Sequence, residues 1–275
     1  FNNVCYNWTT RTTDGGVHNG QFVNNYYKMG PASTHTLLFT ADLEGAGSGT
    51  QEYYVNGNIR QAKGNGAETT HSYKEGGDND IYKYELSGGQ VLDWTVFVNK
   101  PYFDSRATVE TARAAFKNVL SDVGCSLPIL DNHDVRMIGE TLNGTYSTIG
   151  SRKGTKGIID NENDSGCEGF GGLNIVTAER PTGWDSDGDG IPAWFETAMG
   201  WSDSDKNNNA DSDGDYWTDL EEYLNWVAVP HFENMAVGEE QTIDLSAYFA
   251  GYGESVKFEI TSNPNDVASI SGSTL

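Results

Sequence analysis

The sequence predicts a mainly β chain with a covering helix and a separate acidic loop-helix module, and three observations carry that prediction. Gly, Asn, Asp, Ser and Thr abound while only 36% of the 275 residues are hydrophobic, a composition that suits turn-rich β architecture in an extracellular setting. An asparagine-punctuated strand recurs within the first hundred residues. Two acidic twelve-residue loops follow late in the chain. This length suggests about two domains and ample material for a buried core.

The repeat comes first in the chain: FNNVCYNW at Phe1, FVNNYYK at Phe22 and YVNGNIR at Tyr54. Aligning Asn3, Asn25 and Asn58 gives offsets of 22 and 33, which suit stacked coils of a parallel β-helix, one of them with an insertion. A single coil cannot bury its apolar face alone, and asparagines stacked at equivalent turns can hydrogen-bond from coil to coil and fix the register. The spacing by itself fits the hairpins of an ordinary sandwich equally well.

An amphipathic helix is expected from about Ala107 to Asp122, with Val109, Ala112, Phe116, Val119 and Leu120 on one face and Gly124 as its stop. Residues 125 to 184 read as irregular and Gly-rich, with DNHDVRMIGE as the main structured island. There Asp131, Asp134 and Arg136 are expected to form an ion-pair cluster tethering the C-terminal arm. From Val229 onward, TIDLSAYF and SVKFEI alternate like the opening strands of an immunoglobulin-like domain.

The acidic loops are DSDGDGIPAWFE, Asp185 to Glu196, and DSDGDYWTDLEE, Asp211 to Glu222. Carboxylates at positions 1, 3, 5 and 12 wrap a hard cation of calcium size in oxygen. In the first loop the ligands would be Asp185, Asp187, Asp189, the Ile191 carbonyl and a bidentate Glu196, with Gly190 making the sharp turn at position 6. In the second they would be Asp211, Asp213, Asp215, the Trp217 carbonyl and Glu222, with Asp219 at position 9. Tyr216 stands where that loop wants glycine. Each loop runs into an apolar helical segment, which a solvated acidic linker would not need. The turn-rich approach to loop one makes this a loop-helix, EF-hand-like module rather than a full helix-loop-helix hand. Between the loops, Asp203, Asp205, Asn207 and Asn209 alternate in the same register, as further ligands, as the site of a further ion, or as a surface spacer.

The formal charge is −23, and about half of it comes from Asp185 to Glu222, where twelve acidic residues face Lys206 alone. No basic patch suggests nucleic acid, and nothing approaches the roughly 18 apolar residues of a membrane span. His18, His35, His71, His133 and His231 have no zinc-like spacing. Cys5, Cys125 and Cys167 allow one disulfide, with Cys125 to Cys167 preferred, or three simple thiols. Both ends of the chain, at Phe1 and at SISGSTL, read as cut from something longer.

Taken in order, NNVCYNWTTRTTDGG, FVNNYYKMGPAS, ETARAAFKNVLSDVG, the DNHDVR island, GFGGLN, DSDGDGIPAWFE and DGDYWTDLEEYLN resemble the C-terminal part of secreted bacterial pectate lyases, over roughly residues 1 to 227. The resemblance implies the final coils of a right-handed parallel β-helix over residues 1–104 and a covering helix and C-terminal arm over 105–180. The dockerin-like calcium module would occupy 181–227 and an incomplete immunoglobulin-like β domain 228–275. It implies an extracellular, calcium-dependent enzyme that cleaves polygalacturonan by β-elimination. In that family a catalytic calcium bridges the substrate carboxylate and acidifies the C5 proton, and an arginine removes it. Those ligands and that arginine lie upstream of the NNVxYNW strand, so no catalytic role passes to any residue here, and this chain alone is expected to be inactive without its upstream half. Substrate contacts would come from Arg11 and Lys28, cations for a uronate carboxylate, and from Tyr26 and Tyr27, rings for sugar faces. The alternatives are a non-catalytic surface or filament component stiffened by calcium, or a β-helix acting on another polysaccharide.

Overall fold

The computed structural model describes residues 1–13, 17–43, 50–78, 80–85, 91–124, 130–164, 182–228, 238–245, 258, 260 and 268–272. Cys125, Cys167, the GFGGLN run, His231 and most of the expected immunoglobulin-like segment lie outside the described residues. The chain divides into two compact units, Phe1–Ile175 and Val176–Leu275.

Among the described residues of the first unit there are nine strands and two helices, in a mixed architecture that is mostly strands by element. The strands are β1 (Val4–Tyr6), β2 (Asn19–Val23), β3 (Tyr26–Lys28), β4 (Phe39–Asp42), β5 (Glu52–Asn56), β6 (Asn58–Gln61), β7 (Glu68–His71), β8 (Tyr82–Glu85) and β9 (Phe97–Val98). They form three sheets, β1-β3-β6-β7, β2-β5-β9 and β4-β8. Every pairing is parallel except β6 with β7. From β3 onward the chain visits the first, third and second sheets in turn and returns to each one strand further along. That winding order, with parallel pairing, is not that of hairpin-connected strands, except where β7 turns back on β6.

The aligned asparagines meet as the spacing requires. Asn3 donates through its backbone N–H and Nδ2 to Asn25 Oδ1, at 3.0 and 2.9 Å. Asn25 does the same to Asn58 Oδ1, at 3.0 and 2.8 Å, and Asn58 Nδ2 closes the ladder on the Phe22 carbonyl at 2.8 Å. What reads in sequence as one strand per repeat is two strands meeting at a corner. The corner residue takes a left-handed backbone each time: Asn2 (φ 52°), Asn24 (φ 52°) and Gly57 (φ 63°). Asparagine and glycine are the residues that tolerate this region. At Gly57 a Cβ would also fall 1.9 Å from Asn24 Oδ1.

Inside the coils, apolar side chains of all three sheets converge on Leu38, Phe39, Tyr53, Val55, Tyr82 and Phe97. Phe39 is the register partner of Tyr82 and stacks near it (5.7 Å), and Phe22 stacks on Phe39 at 4.1 Å. Each such offset ring pair adds about 0.5–1.5 kcal/mol beyond burial.

Helix α1 runs Ala112–Asp122, starting five residues later than the apolar pattern predicts. The delay has a cause in the corner asparagines. Asn2 Oδ1 accepts the Glu110 N–H (2.9 Å), while Asn2 Nδ2 and Asn24 Nδ2 donate to the Glu110 carbonyl (2.9 and 2.7 Å), holding that residue outside the helix. Thr111 then caps it. The helix covers the outer face of the first sheet, where Val4, Tyr26 and Ile59 stack in register and Phe116 packs on Tyr26 at 4.3 Å.

The DNHDVRMIGE island is a full helix, α2 (Asn132–Asn143), capped by Asp131 accepting from His133 and Asp134 and ended by left-handed Gly144. Asp131 thus serves as a cap, and Arg136 pairs within the helix with Glu140 at 3.5 Å. In the second unit, α3 (Ala193–Met199) and α4 (Asp219–Ala228) each follow an acidic loop. Trp194, Phe195, Trp201, Tyr223 and Trp226 form an edge-on aromatic cluster joining the two helices. Among the described residues no helix is long and apolar enough to cross a membrane.

Candidate calcium site

The two acidic loops have the same backbone design, bond for bond. In the first, Asp185 Oδ1 accepts from Gly188 and Asp189, its Oδ2 from Gly190, and Asp189 Oδ1 from Ile191 (2.8–3.2 Å). In the second, Asp211 Oδ1 accepts from Gly214 and Asp215, its Oδ2 from Tyr216, and Asp215 Oδ1 from Trp217 (2.7–3.1 Å). These turns point the position 1, 3 and 5 carboxylates to one side. Gly190 at position 6 has φ 99°, and Tyr216 adopts the same left-handed conformation at φ 82°. The tyrosine therefore keeps the turn and carries its backbone strain.

The loops differ in burial. Glu196, the position 12 residue of loop one, has 0% exposure, Ile191 is fully buried, and Asp189 is also buried. Glu196 Oε2 and Asp187 Oδ2 have no hydrogen-bond partner. Burial, and then the charges of Asp187, Asp189 and Asp203, push the Glu196 carboxyl up to about 7. Asp187 is raised by burial and by Asp189. In loop two, Asp211, Asp213 and Asp215 are exposed, Trp217 is half exposed, and Glu222 Oε2 is buried without a partner. Glu222 is raised by burial and then by Asp213 and Asp215.

Three sets of carboxylates have oxygens within 4.8 Å of one another: Asp187, Asp189 and Glu196; Asp185, Asp187 and Asp203; and Asp211, Asp213 and Asp215. Gathering like charges around an orphaned buried oxygen is unfavourable unless a proton or a cation joins them. The donors are oxygen alone, which fits a hard ion and argues against zinc or copper. Sequence reasoning offered Asp203 as a further ligand only together with Asp205, Asn207 and Asn209, and its approach to loop one is a tertiary fact.

The expected substrate residues are not gathered in one place. Arg11 is exposed, whereas Tyr26, Tyr27 and Lys28 are buried. Tyr27 points into the coil core. Tyr26 and Lys28 point to the other side, under the helices and along a hollow of about 310 Å³ with Glu68, Arg113 and Phe116. Tyr26 donates its hydroxyl to Glu68 (2.7 Å), which also pairs with Arg113 at 2.5 Å. Lys28, 2% exposed, donates Nζ to the Leu142 carbonyl at 2.8 Å and lies over the Phe116 ring. That carbonyl belongs to the last turn of α2, where the helix dipole favours a cation. Burial lowers the Lys28 pKa. Cys5 is a free thiol, its pKa raised by burial.

A search of known proteins finds a relative named Probable pectate lyase C, from Emericella nidulans. It is 29% identical over 205 residues, covering 72% of this chain and 40% of the relative. The chain thus spans well under half the length of that protein. This supports a pectate lyase-like relationship. No protein-family model matches the chain, and no solved structure matches it.

Proposed function

We propose that this chain is part of an extracellular pectate lyase: coils of a right-handed parallel β-helix with a helical cover, followed by a calcium-stabilised loop-helix module. The observation that carries the reading is the 205-residue likeness to a probable pectate lyase, spanning 72% of the chain. The parallel winding of the strands and the asparagine ladder support the β-helix.

The parent's substrate would be polygalacturonan, cleaved by β-elimination. No residue here is assigned to catalysis, because the resemblance places that machinery upstream. Of the four expected substrate residues Arg11 is the exposed one and Tyr26, Tyr27 and Lys28 are buried, so Arg11 would be the one to meet a uronate carboxylate. The two acidic loops would hold calcium in a structural role. Bound calcium supplies the counter-charge that the orphaned Glu196 and Glu222 oxygens lack.

The test is release of unsaturated uronate from polygalacturonan by this chain alone and by the chain joined to its upstream half. Activity is expected only from the joined protein. Turnover by this chain alone would refute the upstream placement of the catalytic residues, and an inert joined protein would refute the lyase reading.

A further inference from the structure

We propose that Asp203, seven residues beyond the end of loop one, is a direct ligand of the cation held by that loop. This rests on the reading of the loop as a cation site and adds to it a ligand that the twelve-residue pattern does not contain.

The pattern leaves a gap at position 9, where loop one has Ala193, which offers no side-chain oxygen. Calcium takes six to eight oxygens, and position 9 usually supplies one directly or through water. In loop two the residue at this position is Asp219, but its carboxylate is fully buried and turned to Ser212, accepting from the backbone N–H at 2.9 Å and from Oγ at 2.7 Å. Asp219 belongs to none of the carboxylate groups, and this is where it differs from Asp203, which Ser186 holds in the same way.

In loop one the missing oxygen arrives from outside. A carboxylate oxygen of Asp203 lies within 4.8 Å of ligand oxygens of both Asp185 and Asp187. Its Oδ1 accepts the Ser186 N–H at 2.9 Å, which fixes it beside position 2 of the loop. It also lies against Glu196, whose fully buried Oε2 has no hydrogen-bond partner. That orphaned oxygen is a second observation that points to a cation, because a buried carboxyl set among other carboxylates must either take up a proton or share a cation with them.

The linker is folded around the loop in a way that holds Asp203 there. The backbone N–H groups of Asn207 and Asn208 both donate to Asp189 Oδ2 at 3.0 Å. Lys206, the only base in this stretch, donates to the Gly188 carbonyl at 3.1 Å. Asp205 lies in the same linker, is exposed, and belongs to none of the carboxylate groups. It is the natural control.

The experiment uses the full chain with loop two silenced by Asp211→Ala, Asp213→Ala and Asp215→Ala. Calcium affinity is read by calorimetry, and the number of waters on bound terbium by luminescence lifetimes in light and heavy water. Asp203→Ala is expected to weaken calcium binding roughly tenfold or more and to add about one water to terbium. Asp205→Ala should change neither. Weaker binding with an unchanged water count would make Asp203 a structural support of the loop and overturn the assignment. Two calcium ions per chain in this background would mean a pair bridged by Asp187, which also overturns it. If the silenced chain binds no calcium, the cation reading itself fails and takes the assignment with it.

Discussion

Both units bury polar side chains, and they do so by opposite means. In the asparagine ladder of the coils the buried groups are neutral amides, and each supplies what its neighbour lacks: Asn58, with 0% exposure, accepts two bonds from Asn25 and donates one to Phe22. In the acidic loops the buried groups are carboxylates: Asp189 and Asp219 accept from N–H and hydroxyl donors, but Glu196 and Glu222 each keep an oxygen with no partner. A closed hydrogen-bond ladder is complete within the protein. A ring of carboxylates is complete only with an ion. The coil unit should therefore be indifferent to calcium, and the fold of the loops should depend on it.

The largest expected effect follows from removing the ion. A ligand that binds only the folded state stabilises it by about 4 kcal/mol at a thousandfold excess over its Kd. Chelation should cost residues 182–228 stability of that order and leave the coils unchanged, as read by hydrogen exchange resolved along the chain. The chelated protein should also show opposite pH responses in the two units. Glu196, facing Asp187, Asp189 and Asp203, has its pKa raised from 4.5 to about 7. Its contribution is present below pH 4.5 and is lost as pH rises through 7. His71 in the coils, buried and beside Arg60 and Asp78, has its pKa lowered from 6.5, first by burial. Its contribution is present above pH 6.5 and is lost as pH falls through the lowered value. Acidification should therefore protect the chelated loops and weaken the coils. Equal responses would erase the contrast.

The second expected effect runs through the coils. Asn58→Ala leaves the Asn25 donors and the Phe22 carbonyl buried without partners, a loss of about 3 kcal/mol after partial relaxation. Denaturant unfolding of the coil unit measures it, and the calcium isotherm should be unmoved. A calcium affinity that fell with Asn58 would show that the two units do not behave independently.

The asparagine ladder was legible in sequence because it demands the same residue at the same place in each coil, and a repeat is what such a demand leaves behind. The turns of the acidic loops were legible for the same reason, since the positions of their carboxylates are set by spacing along the chain. The role of Tyr26 and Lys28 was not. Strand alternation shows that they lie on the face away from Tyr27, but not that α1 and α2 cover that face. Helix α2 was hard to read because its apolar side chains are poor markers: Val135 and Met137 are more than half exposed. Its attachment uses the Leu142 carbonyl and Lys28, and a backbone group leaves no trace in sequence. Sequence could not single out Asp203 from Asp205, Asn207 and Asn209 for a similar reason, since its neighbours in space are loop residues seven or more positions away.

The smallest effect separates the two loops from each other. Tyr216 holds φ 82° where loop one uses Gly190 at φ 99°, and its ring is 96% exposed, so little packing offsets the strain. A left-handed backbone costs a residue with a Cβ about 1–2 kcal/mol, and glycine returns part of that through its greater freedom when unfolded. Tyr216→Gly should therefore favour the formed loop by about 1 kcal/mol, which is a gain of roughly fivefold in the calcium affinity of loop two. Loop one should not respond, because the turn that changes is bonded to Asp211 and not to Asp185. A calorimetric titration that resolves the two sites reads this directly. If the gain appeared equally in both sites, the weaker loop would owe its weakness to coupling between the loops. If it appeared in neither, the exposure of Asp211, Asp213 and Asp215, rather than the tyrosine, would be what sets loop two apart.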